Sequence, residues 1–180
     1  MMKTLWVLIF SIFCLNAWAE NSNSYDQQIN NREIKSLSAK DIENYLNGNG
    51  MGLAKAAELN HYPGPRHVLD LAKPLQMSDS QINQTKILFK QMKAQAMSLG
   101  KRVVEEEKIL DRLFANNDID EITLSEQLEK ISRLKSQLRF IHLNTHLKQK
   151  VILTHHQISK YDVLRGYSSG HSHEHTSHNP

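Results

Sequence analysis

From Ile82 to Phe114, apolar side chains fall at Ile82, Phe89, Met92, Ala96, Leu99, Val103, Leu110 and Phe114, always three, four or seven residues apart. That is the stripe of a helix with one apolar face, and no proline interrupts it. A helix from Ser78 to about Ala115 is roughly 55 Å long at 1.5 Å per residue, longer than a small domain is wide. Asn116-Asn117-Asp118 breaks the pattern, and a second stripe runs through Leu124, Leu128, Ile131, Leu134, Leu138 and Ile141 towards Ile152. Two such helices joined by a short polar loop must lie antiparallel, because only then do both stripes bury each other. The expected fold is all-α, built on a long antiparallel helical hairpin.

Both ends of the hairpin carry the same five-residue form. Met77-Ser78-Asp79-Ser80-Gln81 and Leu153-Thr154-His155-His156-Gln157 each read apolar, hydroxyl, any, any, Gln. The hydroxyl caps the backbone N–H three residues on, the Gln reaches back to the cap, and the apolar residue staples the first turn. The second copy opens a short C-terminal helix, His155 to Arg165.

At the other end of the chain, Lys3, the apolar run Leu5 to Leu15 and Ala17-Trp18-Ala19 form the three parts of a cleavable secretory signal peptide, residues 1–19. The run is too short to stay as a membrane anchor. The only cysteine, Cys14, lies inside it behind Phe13, where a lipid-attachment site wants a small residue, so a soluble product is expected. An exported chain with no mature cysteine has no disulfide, and helix packing or association must stabilise it. Removing Lys3 takes 22 basic and 19 acidic residues to 21 and 19, about +2 with His neutral. That balance argues against a nucleic-acid partner. One slender domain also buries less than a sphere does, which favours a homodimer.

Residues 20–37, rich in Asn, Ser and Gln, read as a flexible leader. A single helical domain then spans 38–167. Ser38 with Asp41 starts a helix that Gly48-Asn49-Gly50 ends; Ala54 to Leu59 is a second helical piece; Pro63-Gly64-Pro65 turns the chain before one or two turns from His67 to Lys73. This short N-terminal helical arm carries Leu53, Leu59, Val68, Leu69 and Leu71, which need a surface to bury against. Phe140, Leu143, Leu147 and Val151 form a second apolar face on the second long helix, roughly opposite its first stripe. The arm, the last helix or another subunit is expected to cover it.

Two sets of histidines are candidate metal ligands. The polar tail, 168–180, holds His171, His173, Glu174, His175 and His178, a composition able to wrap a borderline ion such as Zn, Ni, Cu or Co through neutral imidazoles. The alternative is a soluble tail that binds whatever metal is offered, weakly. His142 and His146 lie one turn apart on one helix face, within reach of a single ion. Their alternative is a hydrogen-bonded interior or interface role, since no third ligand is in view. His61 and His67 flank the Pro-Gly-Pro turn, and His155 and His156 lie in the first turn of the last helix.

Glu105-Glu106-Glu107 reads as a solvated face among Arg102, Lys108, Asp111 and Arg112. Met92 and Met97 read as core or groove filler. No Ser-His-Asp order, glycine-rich phosphate loop or mature cysteine nucleophile is present, so the chain is not expected to be an enzyme and needs no obligatory cofactor.

An exported chain without a mature cysteine, a long helical hairpin and two LTxxQ-like motifs at helix starts together resemble the Spy/CpxP family of bacterial periplasmic proteins. That family includes the metal-linked ZraP and CnrX branch. Leu153-Thr154-His155-His156-Gln157 matches the motif fully, and Met77-Ser78-Asp79-Ser80-Gln81 departs from it with Met for Leu and Ser for Thr. The stretches Tyr62 to Leu69 and Tyr161 to Tyr167 extend the likeness, which covers roughly residues 38–167. The resemblance implies a hooked, cradle-shaped homodimer in the periplasm. Its members hold unfolding clients without ATP, restrain an envelope sensor kinase, or sense and buffer metal. On the second helix Arg133, Lys135, Arg139 and Lys148 are the candidate basic groups of a client-binding face. The expected function is an ATP-independent chaperone or stress-signalling modulator with transition-metal binding; the alternative is a periplasmic metal sensor or buffer without chaperone activity.

Overall fold

A computed structural model describes residues 29–167. Among the described residues the helices follow in the order α1 (Ala39–Leu46), α2 (Lys55–Glu58), α3 (Pro65–Asp70), α4 (Asp79–Ala115), α5 (Glu121–Ile152) and α6 (His155–Arg165). No strand occurs among the described residues. None of these helices is long and apolar enough to cross a membrane. The expected signal peptide, 1–19, and the His-rich tail, 168–180, lie outside the described residues.

The helix starts follow from local chemistry. Ser38, Ser78 and Thr154 each accept from the backbone N–H three residues on, and Asp41, Gln81 and Gln157 each return a bond to the cap, three complete capping boxes. Asp120 caps α5 by accepting from the Thr123 N–H at 2.8 Å. Pro65 occupies the first turn of α3, where its missing N–H costs nothing. Asn117 and Gly166 take left-handed backbone angles at the ends of α4 and α6.

Helices α4 and α5 make the most extensive pairing in the molecule. Its antiparallel sense is fixed by side-chain bonds along its length: Gln81 to the Ile152 carbonyl, Gln149 to Thr85, Lys135 to Glu107, and Gln127 to the Glu106 carbonyl. Two small apolar cores hang on this rod. Met92, Ala96 and Leu138 meet Tyr45 and Leu53 of the arm. Val68, Leu75, Leu153, Ile158 and Tyr161 form the second core, at the joint between the arm and α6. Each large apolar group buried there contributes about 1.5–3 kcal/mol. Helix α1 reaches α4 at Gly100, where a Cβ would stand only 2.0 Å from the Tyr45 carbonyl oxygen.

The seam departs from the expected stripes at several positions. Leu128 and Phe114 are exposed, while Thr85, Gly100 and Glu107 of α4 and Gln127, His142, Thr145, His146 and Gln149 of α5 are buried. A straight helix of 3.6 residues per turn drifts against a seven-residue repeat, so over nine or so turns polar residues rotate into contact. Glu107 corrects the solvated reading of the acidic run, since it is buried, bonded to Lys135 at 2.6 Å and to Ser36 at 2.9 Å. Residues 29–37, expected as free leader, lie against α4. Ile34 and Leu37 are buried, Lys35 bonds Asp111 through backbone and side chain, and Lys108 pairs with Glu33.

Candidate functional site

The arm closes over the middle of the hairpin and leaves a cavity of about 380 Å³ beneath it. Its walls come from the glycine-rich loop 48–52, from Glu58, from the turn at Gly64, from α4 at Met92, from His142 and His146 of α5, and from Arg165 and Tyr167. Three stretches far apart in sequence, the arm, α4 and the end of α6, therefore converge on the two α5 histidines.

Glu58 is the charged centre of that wall. Its Oε1 accepts from the hydroxyl of Tyr161 and, at 3.2 Å, from that of Tyr167, and Arg165 lies 3.7 Å away. Arg165 also donates to the Tyr167 oxygen at 3.0 Å. Burial, reinforced by the Glu58 carboxylate, pushes the Tyr161 hydroxyl far up, so it stays a donor. His61 adds a second tie, with Nδ1 2.7 Å from Oδ2 of the buried Asp162. Nothing in the sequence marked Glu58, and Tyr161 and Asp162 entered only within the stretch that extends the family likeness: a Glu ending a four-residue helix looks solvated until α6 is folded onto it.

The two expected ligands sit differently. His146 Nδ1 lies 2.7 Å from the Tyr62 carbonyl and 3.6 Å from Glu58 Oε2. A carbonyl only accepts, so Nδ1 carries a proton and donates it to Tyr62. His142 is 5 % exposed, and its Nε2 is buried with no hydrogen-bond partner. Burial first, and then the nearby His146, holds the His142 pKa below its ordinary value of 6.5, which keeps the ring neutral. The interior role therefore accounts for Nδ1 of His146 and leaves Nε2 of His142 without a partner. Among the described residues no set of three or more His, Cys, Asp or Glu is arranged to hold an ion, so the pair alone is half a site.

The remaining candidates disperse. His171, His173, Glu174, His175 and His178 lie outside the described residues. His67 is 3.7 Å from Asp70, and His155 and His156 are exposed. Of the four basic groups on α5, Arg133 is bonded to Glu129 at 2.7 Å and Lys135 to Glu107, while Arg139 and Lys148 are exposed.

A second surface lies between α4 and α5. A groove of about 710 Å³ is lined by Ser98, Leu99, Ser136, Gln137, Phe140 and Ile141 among others. From Phe140 an apolar strip continues along α5 through Leu147 and Val151, which are 64, 52 and 86 % exposed in that order. Neither the arm nor α6 covers it, because both are drawn to the other core by Leu153, Ile158 and Tyr161.

Comparison with protein-family models, with curated proteins and with solved structures finds no match to this chain.

Proposed function

We propose that this chain is a periplasmic helical accessory protein of the envelope stress or metal response, of the Spy/CpxP kind. It works as a homodimer that holds unfolding clients without ATP or restrains an envelope sensor kinase. What carries this is the uncovered apolar strip Phe140, Leu147 and Val151 beside the α4–α5 groove. Large apolar groups left in water along one side of a rigid rod have the character of a surface that another molecule covers. Exposed Arg139 and Lys148 on the same helix add the positive charge that an unfolded, partly acidic client attracts. The doubled capping motif, joined in space by its two glutamines, supports the family reading.

At substoichiometric amounts the protein is expected to suppress aggregation of a denatured client without ATP, and removing residues 168–180 is expected to leave this intact. A pull-down from envelope extract tests the sensor-kinase partner. A metal sensor or buffer is the second reading, favoured by the unpartnered His142 beside His146. A chain that fails the aggregation assay yet binds Zn, Ni, Cu or Co at about micromolar dissociation constants or tighter belongs to that second class.

A further inference from the structure

The cavity beneath the arm carries an excess of positive charge. Lys55, Arg66, Lys93 and Arg165 stand in its wall against a single carboxylate, Glu58. Glu58 is already engaged, by the hydroxyls of Tyr161 and Tyr167 and by Arg165 and His146. Among the described residues Lys55, Arg66 and Lys93 enter no ion pair. Arg66 and Lys93 are exposed and border an adjoining hollow of about 550 Å³ as well, whose one acid, Asp70, lies 3.7 Å from His67. Two uncommitted cations thus mark the solvent side of the cavity.

Further in, the wall is apolar and holds one unsatisfied group. Phe89 and Lys93 are one turn apart on α4, and Met92 lies beside them in the wall. On α5, His142 is 5 % exposed and its Nε2 has no hydrogen-bond partner. Buried polar atoms are normally satisfied, so one left over beside a cavity calls for a partner that enters the cavity. In front of His146 stands Gly64, where a Cβ would lie 3.1 Å from Nε2 and 2.8 Å from Cε1, so glycine keeps that corner hollow. A cavity of about 380 Å³ with an apolar wall and a few converging polar groups has the form of a small-molecule site, at the small end of the usual range of about 300–1,000 Å³.

We propose that this cavity binds a small organic monoanion, a carboxylate on a compact apolar body: the carboxylate pairs with Arg66 and Lys93 at the mouth, the body lies against Phe89 and Met92, and a polar inner end meets the His142 nitrogen. The guanidinium fork of Arg66 suits a carboxylate, which it can hold through two parallel hydrogen bonds. Glu58 limits the ligand to one negative charge, because a second carried inward meets a carboxylate of the same sign. The site is separate from the client-holding reading and does not rest on it.

The test titrates the full chain from residue 20 with benzoate, benzamide, and 3- and 4-hydroxybenzoate, read by calorimetry and by the ring resonances of His142 and His146. Benzoate is expected to bind with a dissociation constant of about 1 mM or tighter, and benzamide, which has the shape without the charge, about tenfold more weakly. Replacing Arg66→Gln together with Lys93→Gln is expected to weaken benzoate about tenfold and to leave benzamide unchanged. Both side chains are exposed, so the fold tolerates the change. The better-placed hydroxybenzoate is expected to bind more tightly than benzoate, an advantage that His142→Leu removes. No benzoate binding at about 10 mM, equal affinity for benzoate and benzamide, or unchanged benzoate affinity in the double Gln chain overturns the inference. Inorganic phosphate binding as tightly as benzoate also overturns it, and marks a surface charge patch only. An advantage that neither hydroxy isomer shows, or that survives His142→Leu, overturns the inner contact and the proposed pose with it. Suppression of client aggregation is assayed without these ligands, so its outcome stands apart from all of these.

Discussion

Gln81 and Gln157, 76 residues apart, form a reciprocal amide pair: each side-chain NH2 donates to the other's oxygen, at 2.8 and 3.1 Å. The second N–H of Gln81 goes to the Ile152 carbonyl and that of Gln157 to the Leu75 carbonyl. Each oxygen also accepts the backbone N–H of its own cap, Ser78 or Thr154. Every donor and lone pair of both amides is therefore used. The two motif copies are not separate helix starts. They are the two halves of one joint that ties the entry of α4 to the exit of α5.

Breaking that joint from either side leaves the partner amide unpaired at a largely buried site. Gln81→Ala and Gln157→Ala are each expected to cost about 1–3 kcal/mol in denaturant unfolding. The double variant is expected to cost clearly less than the sum, because the pair is lost once. Simple additivity means the glutamines act only as independent caps.

Gly100→Ala sets two effects against each other. Alanine improves helix propensity by about 1 kcal/mol, but its methyl would sit 2.0 Å from the Tyr45 carbonyl oxygen. Backbone cannot yield as a side-chain tip can, so α1 must lift off α4 at a cost of about 1–3 kcal/mol. Limited proteolysis between residues 39 and 52 is expected to quicken while the α4–α5 pairing persists. An unchanged cleavage rate contradicts the close approach.

Stability should also respond to mild acid. The folded-state pKa of His142 lies below 6.5, so as pH falls through that value the unfolded chain takes up a proton the folded chain refuses. The contribution is complete above about pH 6.5 and fades below it, down towards the lowered folded value. With a chelator present, Tm is expected to drop between pH 7.5 and 5.5, and His142→Leu to flatten the slope. The carboxylates Asp41 and Asp111, held below their ordinary range by Ser38 and Lys35, titrate outside this window. An identical slope in the variant rules His142 out as the cause.

The exposed strip on α5 predicts a variant that loses function without losing stability. Phe140→Ser and Val151→Ser are expected to change unfolding free energy by no more than about 0.5 kcal/mol, since neither side chain is buried. Self-association in sedimentation and suppression of client aggregation are both expected to fall. A large drop in monomer stability with association intact means the strip is no docking surface.

Periodicity and capping chemistry alone determined that this chain is helical, where each long helix starts and stops, and that α4 and α5 run antiparallel. These are local properties: a Ser or Thr three residues before Gln, a proline-free apolar stripe, an Asn-Asn-Asp break. What lay across each stripe was not local. Glu107 read as solvated because its partners Ser36 and Lys135 come from other segments. His142 and His146 were visible as a helical pair, yet the carbonyl behind His146, the glycine in front of it and the Glu58 cluster beside it come from the arm and α6. Only the tertiary structure decided that the arm covers the histidines and leaves Phe140, Leu147 and Val151 in water. Val68 and Leu75 are buried at the joint with Leu153 and Tyr161, which draws the arm to that side of the hairpin and away from the open side of α5.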